Sequence, residues 1–270
     1  MNKKESASNQ PILAVRDLEK TFGNLVAAHD ITVSVPAQQT VGVIGANGAG
    51  KTTFINMITG HLMPTKGAIL FEGNEITGKP SREITRLGIS RSFQVAQIFP
   101  SLTVFENMCI AAAIARRSGG VLGNITTPVQ SPAAIAEAEA AVELFQIGRY
   151  RDTPANALPQ GVRKLLDIGM AVVGWPRLLL LDEPTSGISI EEKFDLMNVV
   201  MSALKTRQIT VLFVEHDMEI VARFADRVLA FYDGTVIADG TPNETLDNLR
   251  VQELISGVRL KSATVRSDHA

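Results

Sequence analysis

GANGAGKTT, residues 45–53, stands between the apolar run TVGVI and the segment FINMITG. It fits the pattern G-x-x-x-x-G-K-[ST] in the setting that gives that pattern meaning, a strand before it and a helix after it. The physics is anion binding. Glycines let the backbone curl until successive N–H groups and the start of the helix face one point, where a phosphate can sit. Lys51 adds a positive charge at the β- and γ-phosphates, and the Thr52 hydroxyl is a ligand for Mg²⁺. A glycine-rich turn with a chance lysine would satisfy the letters without needing the strand and the helix around them.

Other strand ends supply what a phosphate loop needs beside it. LLLLDEP, 178–184, closes an apolar run with two carboxylates, and alternation sends Asp182 and Glu183 to different faces. Asp182 then supports Mg²⁺, and Glu183 polarises an attacking water. Such a strand end is ordinary alone and informative beside a phosphate loop. His216, in VEHD at 214–217, is a candidate γ-phosphate contact, and Gln94, closing RSFQ, a candidate for Mg²⁺ and water. Each is weak singly, because one imidazole has many structural uses. Phe22, in KTFGN, is placed to stack on an adenine ring or to pack as an ordinary aromatic.

Around these motifs the chain alternates strands and helices. ILAVRDL, DITVSV, TVGVIG, GISRSF, RLLLLDE, ITVLFVEHD, RVLAFYDG and TVIADG read as strands, several of them continuous apolar runs that suit a mostly parallel sheet buried on both faces. The first two are more mixed and suit a peripheral antiparallel layer. YDGT carries the Asp-Gly signal of a two-residue hairpin. Helices are expected over about 51–60, 190–206 and 217–226. Residues 98–173 are almost wholly helical in character, opening with the capping box Thr103-Val-Phe-Glu106 and interrupted by GGVLGNITTPVQSP. The expectation is an α/β core over 12–258 with a helical subdomain inserted at about 98–173, between polar tails at 1–11 and 259–270. Within the insert, LPQGVRKLLDI at 158–168 predicts a helix with Val162, Leu165, Leu166 and Val173 on its buried face and Arg163, Lys164 and Asp167 away from it.

Composition narrows the class. A net charge of −2 and no long basic block give no electrostatic footprint for nucleic acid. One cysteine, Cys109, excludes an internal disulfide and reads as a small apolar filler. No run approaches a membrane-spanning length, and MNKKESASNQ has no secretory apolar core, so a cytoplasmic chain is expected.

The order of phosphate loop, RSFQ, LPQG-helix, LLLLDEP and VEHD resembles the nucleotide-binding domains of ABC transporters, over about residues 12–258. The resemblance implies a P-loop NTPase (ABC ATPase) fold that binds ATP and Mg²⁺ and hydrolyses ATP. It makes Phe22 the adenine-stacking aromatic, and Gly45, Asn47, Gly48, Ala49, Gly50, Lys51, Thr52 and Thr53 the Walker A loop. Glu183, His216 and Gln94 become catalytic, and Thr52, Gln94 and Asp182 hold the metal. LPQGV takes the place of the signature, usually LSGGQ, which puts Pro159, Gln160 and Gly161 against a nucleotide held by a second ATPase subunit. Proline lacks the hydroxyl and the N–H that a serine would supply there. RSFQVAQIFPSLTVFENM, the helical insert with its GNITTP loop, and VLAFYDGTVIADGTPNE resemble the larger ATPase of branched-chain amino-acid importers, a branch whose relatives also serve urea and aromatic acids. The resemblance implies membrane permease subunits as partners. It also implies a second ATPase chain (usually different, so that a heterodimer is expected and a homodimer stays open) and an extracytoplasmic solute-binding protein. The chain would then work at the cytoplasmic face of the plasma membrane. A different class, a soluble ABC-type ATPase acting on nucleic acid or ribosomes, usually has paired cassettes, coiled-coil arms or a basic surface, which this sequence lacks. A regulator that binds nucleotide without hydrolysis is countered by Glu183, His216 and Gln94.

Overall fold

The computed structural model describes residues 10–92, 98–117 and 131–255. Among them the strands are β1 (Leu13–Phe22), β2 (Leu25–Val35), β3 (Thr40–Gly45), β4 (Lys66–Phe71), β5 (Asn74–Glu75), β6 (Ile89–Ser92), β7 (Leu178–Asp182), β8 (Thr210–Val214), β9 (Arg227–Tyr232) and β10 (Thr235–Gly240). The α-helices are α1 (Lys51–Ile58), α2 (Ser81–Arg86), α3 (Val104–Arg117), α4 (Pro132–Leu144), α5 (Gln160–Val172), α6 (Ile190–Thr206), α7 (Met218–Phe224), α8 (Pro242–Leu246) and α9 (Leu249–Leu254).

The strands form two sheets. One has the order β10-β9-β3-β8-β7-β6 and is parallel except for the β9–β10 hairpin. The other is antiparallel, β2-β1-β4-β5. The continuous apolar runs explain the first. Leu178 and Leu180 pack with α1 and the antiparallel layer, while Leu179 and Leu181 pack with the helices on the opposite face. In β8, Leu212 and Val214 divide from Val211 and Phe213 in the same way. A period of two with both faces covered leaves no position for a polar residue until the strand ends. Polar side chains therefore gather where β3, β7 and β8 stop.

The reading from sequence passes over β4 and β5. KGAILF begins exposed, and its apolar run is short. The turn joining them nevertheless has the geometry of the YDGT hairpin, with Glu72 and Gly73 at φ of 48° and 75° against 47° and 80° for Asp233 and Gly234.

The described part of 98–173 holds α3, α4 and α5. Thr103 and Glu106 cap α3 reciprocally, at 2.8 and 3.2 Å. The alanine-rich α4 buries Ala134, Ala138 and Ala141 on one side, where small residues allow close approach to α3. Cys109 is buried in this layer. The GGVLGNITTPVQ loop lies outside the described residues. On α5 the expected face is wrong in one respect. Lys164 and Asp167 are buried beside Leu166 and Ile168, because α5 is covered on more than its apolar stripe. Lys164 there feels the carboxylates at the ends of β7 and β8.

Candidate active site

The loop between β3 and α1 is shaped by close backbone approach. Gly45 has φ of 152°, and a Cβ there would lie 2.4 Å from the Phe231 carbonyl oxygen of β9. Gly50 has φ of 96° and backs onto Ala27 and Gly234, where a Cβ would lie 2.9 Å from the Ala27 carbonyl oxygen. The loop is thus seated on β2 and on the β9–β10 hairpin, and Gly234 N–H donates to the Ala49 carbonyl at 3.1 Å. Lys51 Nζ donates to the carbonyls of Gly45 and Ala46 at 2.6 and 3.0 Å. Burial pushes the Lys51 ammonium below its ordinary pKa, against the pull of Glu183 and Asp182.

Asn47, Gly48, Ala49, Gly50, Lys51, Thr52 and Thr53 share one cavity of about 250 Å³ with Glu183 and His216. Glu183 follows β7 with φ of 47°, a left-handed turn that swings its side chain away from the strand. Its Oε1 lies 3.1 Å from His216 Nε2. Asp182 goes the other way, as alternation requires. Its Oδ2 accepts from Arg91 of β6 at 2.6 Å, and Arg91 also donates to Asn56 of α1 at 2.6 Å.

Capping separates two helix starts from the rest. Thr103, Ser131, Ser189, Asp217, Thr241 and Asn248 cap α3, α4, α6, α7, α8 and α9 with side-chain oxygens, and α2 carries Glu83 in its first turn. Among the described α-helices only α1 and α5 have neither a side-chain cap nor an acidic residue in the first turn. Their first N–H groups and positive dipole ends are left for an outside anion.

These features agree with a family model described as ABC transporter, which matches residues 28–186. The chain belongs to the ABC transporter family. It is 34% identical over 243 residues to the high-affinity branched-chain amino acid transport ATP-binding protein BraF of Pseudomonas aeruginosa, covering 89% of this chain and 95% of that one. It is equally identical, with the same coverage, to the corresponding protein LivG of Escherichia coli K12. Among solved structures it resembles the ADP conformation of an ATP-binding cassette of an ABC transporter, with a TM-score of 0.81 and 30% identity over 91% of this chain and 98% of that one. A nucleotide-free cassette gives a TM-score of 0.78 at 29% identity, covering 90% and 98%.

In this ABC transporter chain the other expected site residues are dispersed. Phe22 ends β1 opposite Leu25, 48% exposed, with Lys20 Nζ 4.9 Å over its ring. It is not among the residues lining the cavity, which takes Leu25 and Val26 instead. Gln94 lies outside the described residues. Pro159, Gln160 and Gly161 sit at the start of α5, with Pro159 as its N-cap residue. The space beyond a Cβ at Gly161 is open to 4 Å, whereas Gln160 reaches across to Gly187. Reading the sequence missed Arg91, Glu215, Lys164 and the cavity-lining Asp233. Arg91 meets Asp182 across 91 positions of chain, a pairing without a local signal. Among the described residues no helix is long and apolar enough to cross a membrane.

Proposed function

We propose that this chain binds and hydrolyses ATP to drive an ABC importer. In this reading it works at the cytoplasmic face of the membrane with permease subunits, a second ATPase chain and an extracytoplasmic solute-binding protein. The transported solute is a branched-chain amino acid or a related small polar molecule, by likeness to the proteins whose names state that cargo. The observation that carries the reading is the pairing of the uncapped α1 N-terminus and Lys51 with Glu183 and His216 around one cavity. A triphosphate there meets the loop N–H groups and the lysine at one end, and a carboxylate placed to take a proton from water at the other.

The donor chemistry suits Mg²⁺, since the Thr52 hydroxyl and the Asp182 carboxylate are hard oxygens. Bound there, the cation would neutralise charge on the β- and γ-phosphates. Arg91 fixes one oxygen of Asp182 and so sets where the other points. His216 is held beside Glu183 and lines the same cavity, where it would meet the γ-phosphate. Phe22, paired with the cavity-lining Leu25 and half-exposed, would offer its ring to the base.

The start of α5 serves the partner's nucleotide. Gly161 and the bare first turn supply backbone donors, and Pro159 supplies no hydroxyl. The site built on this chain's own Walker loop is therefore the stronger of the two in the dimer, and the one completed by LPQGV the weaker.

Purification of the membrane complex with its partners tests the reading. ATP turnover stimulated by the solute-loaded binding protein is the expected result. Turnover without permeases, together with salt-sensitive binding of RNA or DNA, would point to the nucleic-acid class instead.

A further inference from the structure

Glu215 has no part in the chemistry above, yet it is the most deeply buried carboxylate among the described residues, 4% exposed. Such a group persists only when its oxygens are satisfied. Its Oε1 accepts from the backbone N–H and the hydroxyl of Thr185, at 2.9 and 2.7 Å. Its Oε2 accepts from the N–H of His216 at 3.2 Å. Thr185 lies two residues after Glu183, and His216 follows Glu215 directly. One carboxylate thus ties together the two segments whose side chains meet at Glu183 Oε1 and His216 Nε2. Burial on α5 pushes the Lys164 ammonium below its ordinary pKa, against the pull of Asp167, Glu215, Asp182 and Glu183. Glu215 does not line the nucleotide cavity, so it cannot take a proton from water there.

We propose that Glu215 is a positioning residue for ATP hydrolysis, holding the segment after β7 against the segment after β8 so that Glu183 and His216 keep their mutual geometry. The left-handed backbone at Glu183 needs such a hold, because a strained residue persists only where its surroundings over-determine it. The inference rests on the ATPase reading.

The test uses the purified complex carrying Glu215→Ala, Glu215→Gln, Thr185→Val or Thr185→Ser, with wild type and Glu183→Gln as references. Loss of alignment lowers kcat by about 10- to 100-fold in Glu215→Ala and by roughly 3- to 10-fold in Thr185→Val. KM for ATP, and the Kd of a fluorescent ATP analogue, stay within about threefold of wild type, because the groups that bind phosphate are untouched. Thr185→Ser keeps the hydroxyl and retains wild-type kcat. If Glu215→Ala does not fold, Glu215→Gln and Thr185→Val carry the measurement. Unchanged kcat in the variants that fold overturns the proposal. So does a lower kcat accompanied by raised KM and Kd, with Thr185→Ser no better than Thr185→Val, since that pattern marks a scaffold. A wild-type complex without ATP turnover, or a Glu183→Gln complex that keeps it, instead sinks the ATPase reading itself.

Discussion

The helices α1 and α5 begin alike and differ in what surrounds the beginning. Both lack a side-chain cap and an acid in the first turn, so both offer bare N–H groups and a positive dipole end. The start of α1 is then reinforced by Lys51, by hydroxyls at Thr52 and Thr53, and by a loop pressed onto two other strands. The start of α5 has a proline in front of it and open space beyond Gly161. A helix end alone attracts an anion. Selecting a triphosphate and reacting it takes the lysine, the hydroxyls and the carboxylates, and these stand only around α1. That difference is why we propose α5 as a donated half-site and α1 as the seat of the chemistry.

The comparison can be broken at its strong end first. Glu183→Gln removes the carboxylate proposed to polarise water, and turnover by the complex should fall by about 10²- to 10⁴-fold while nucleotide still binds. Near wild-type turnover would move the chemistry to the partner's site. Arg91→Ala leaves Asp182 nearly buried without its cation, and breaking such a pair costs about 3–5 kcal/mol of stability. Chemical denaturation should report that loss, and an unchanged midpoint would mean Asp182 is solvated by other means. Lys51→Ala removes a charged donor and should weaken ATP binding by about 3 kcal/mol, read by equilibrium titration. The weak end sharpens the contrast with the smallest effect. Pro159→Ser supplies the missing hydroxyl and should tighten nucleotide at the partner's site by about 1.5 kcal/mol. A serine there can also cap α5 itself. A rise in thermal stability without tighter trans binding would show that the hydroxyl had turned inward.

What could be read from the chain depended on how local its cause was. The loop at 45–53, the strand ends at 182–183 and 216, and the capped start of α6 at Ser189 follow from neighbours in sequence, and Lys51, Glu183 and His216 do share one cavity. β4 escaped because a short strand with Lys66 and Gly67 at its exposed start carries little alternation. The buried charges escaped for a different reason. A rule that places polar residues outward must fail for Lys164, Asp167 and Glu215, which are buried, and the Thr185 that Glu215 accepts from lies 30 positions away in the chain. Those failures cluster beside Glu183 and His216, where local preference and global packing are most in conflict.

The position of β3 has a consequence in time. Its hydrogen-bonded neighbours are β8 and β9, and Gly45 pairs with Phe231, 186 positions later in the chain. At a synthesis rate of about 5–20 residues per second, the phosphate loop waits roughly 10–40 s before the strands that flank it exist. Until then β3 is a short apolar segment with both edges bare, the condition in which strands find wrong partners. The last-made hairpin is therefore what completes the first-made motif, and a fragment ending at residue 186, where the family match stops, would carry the loop without the sheet that shapes it.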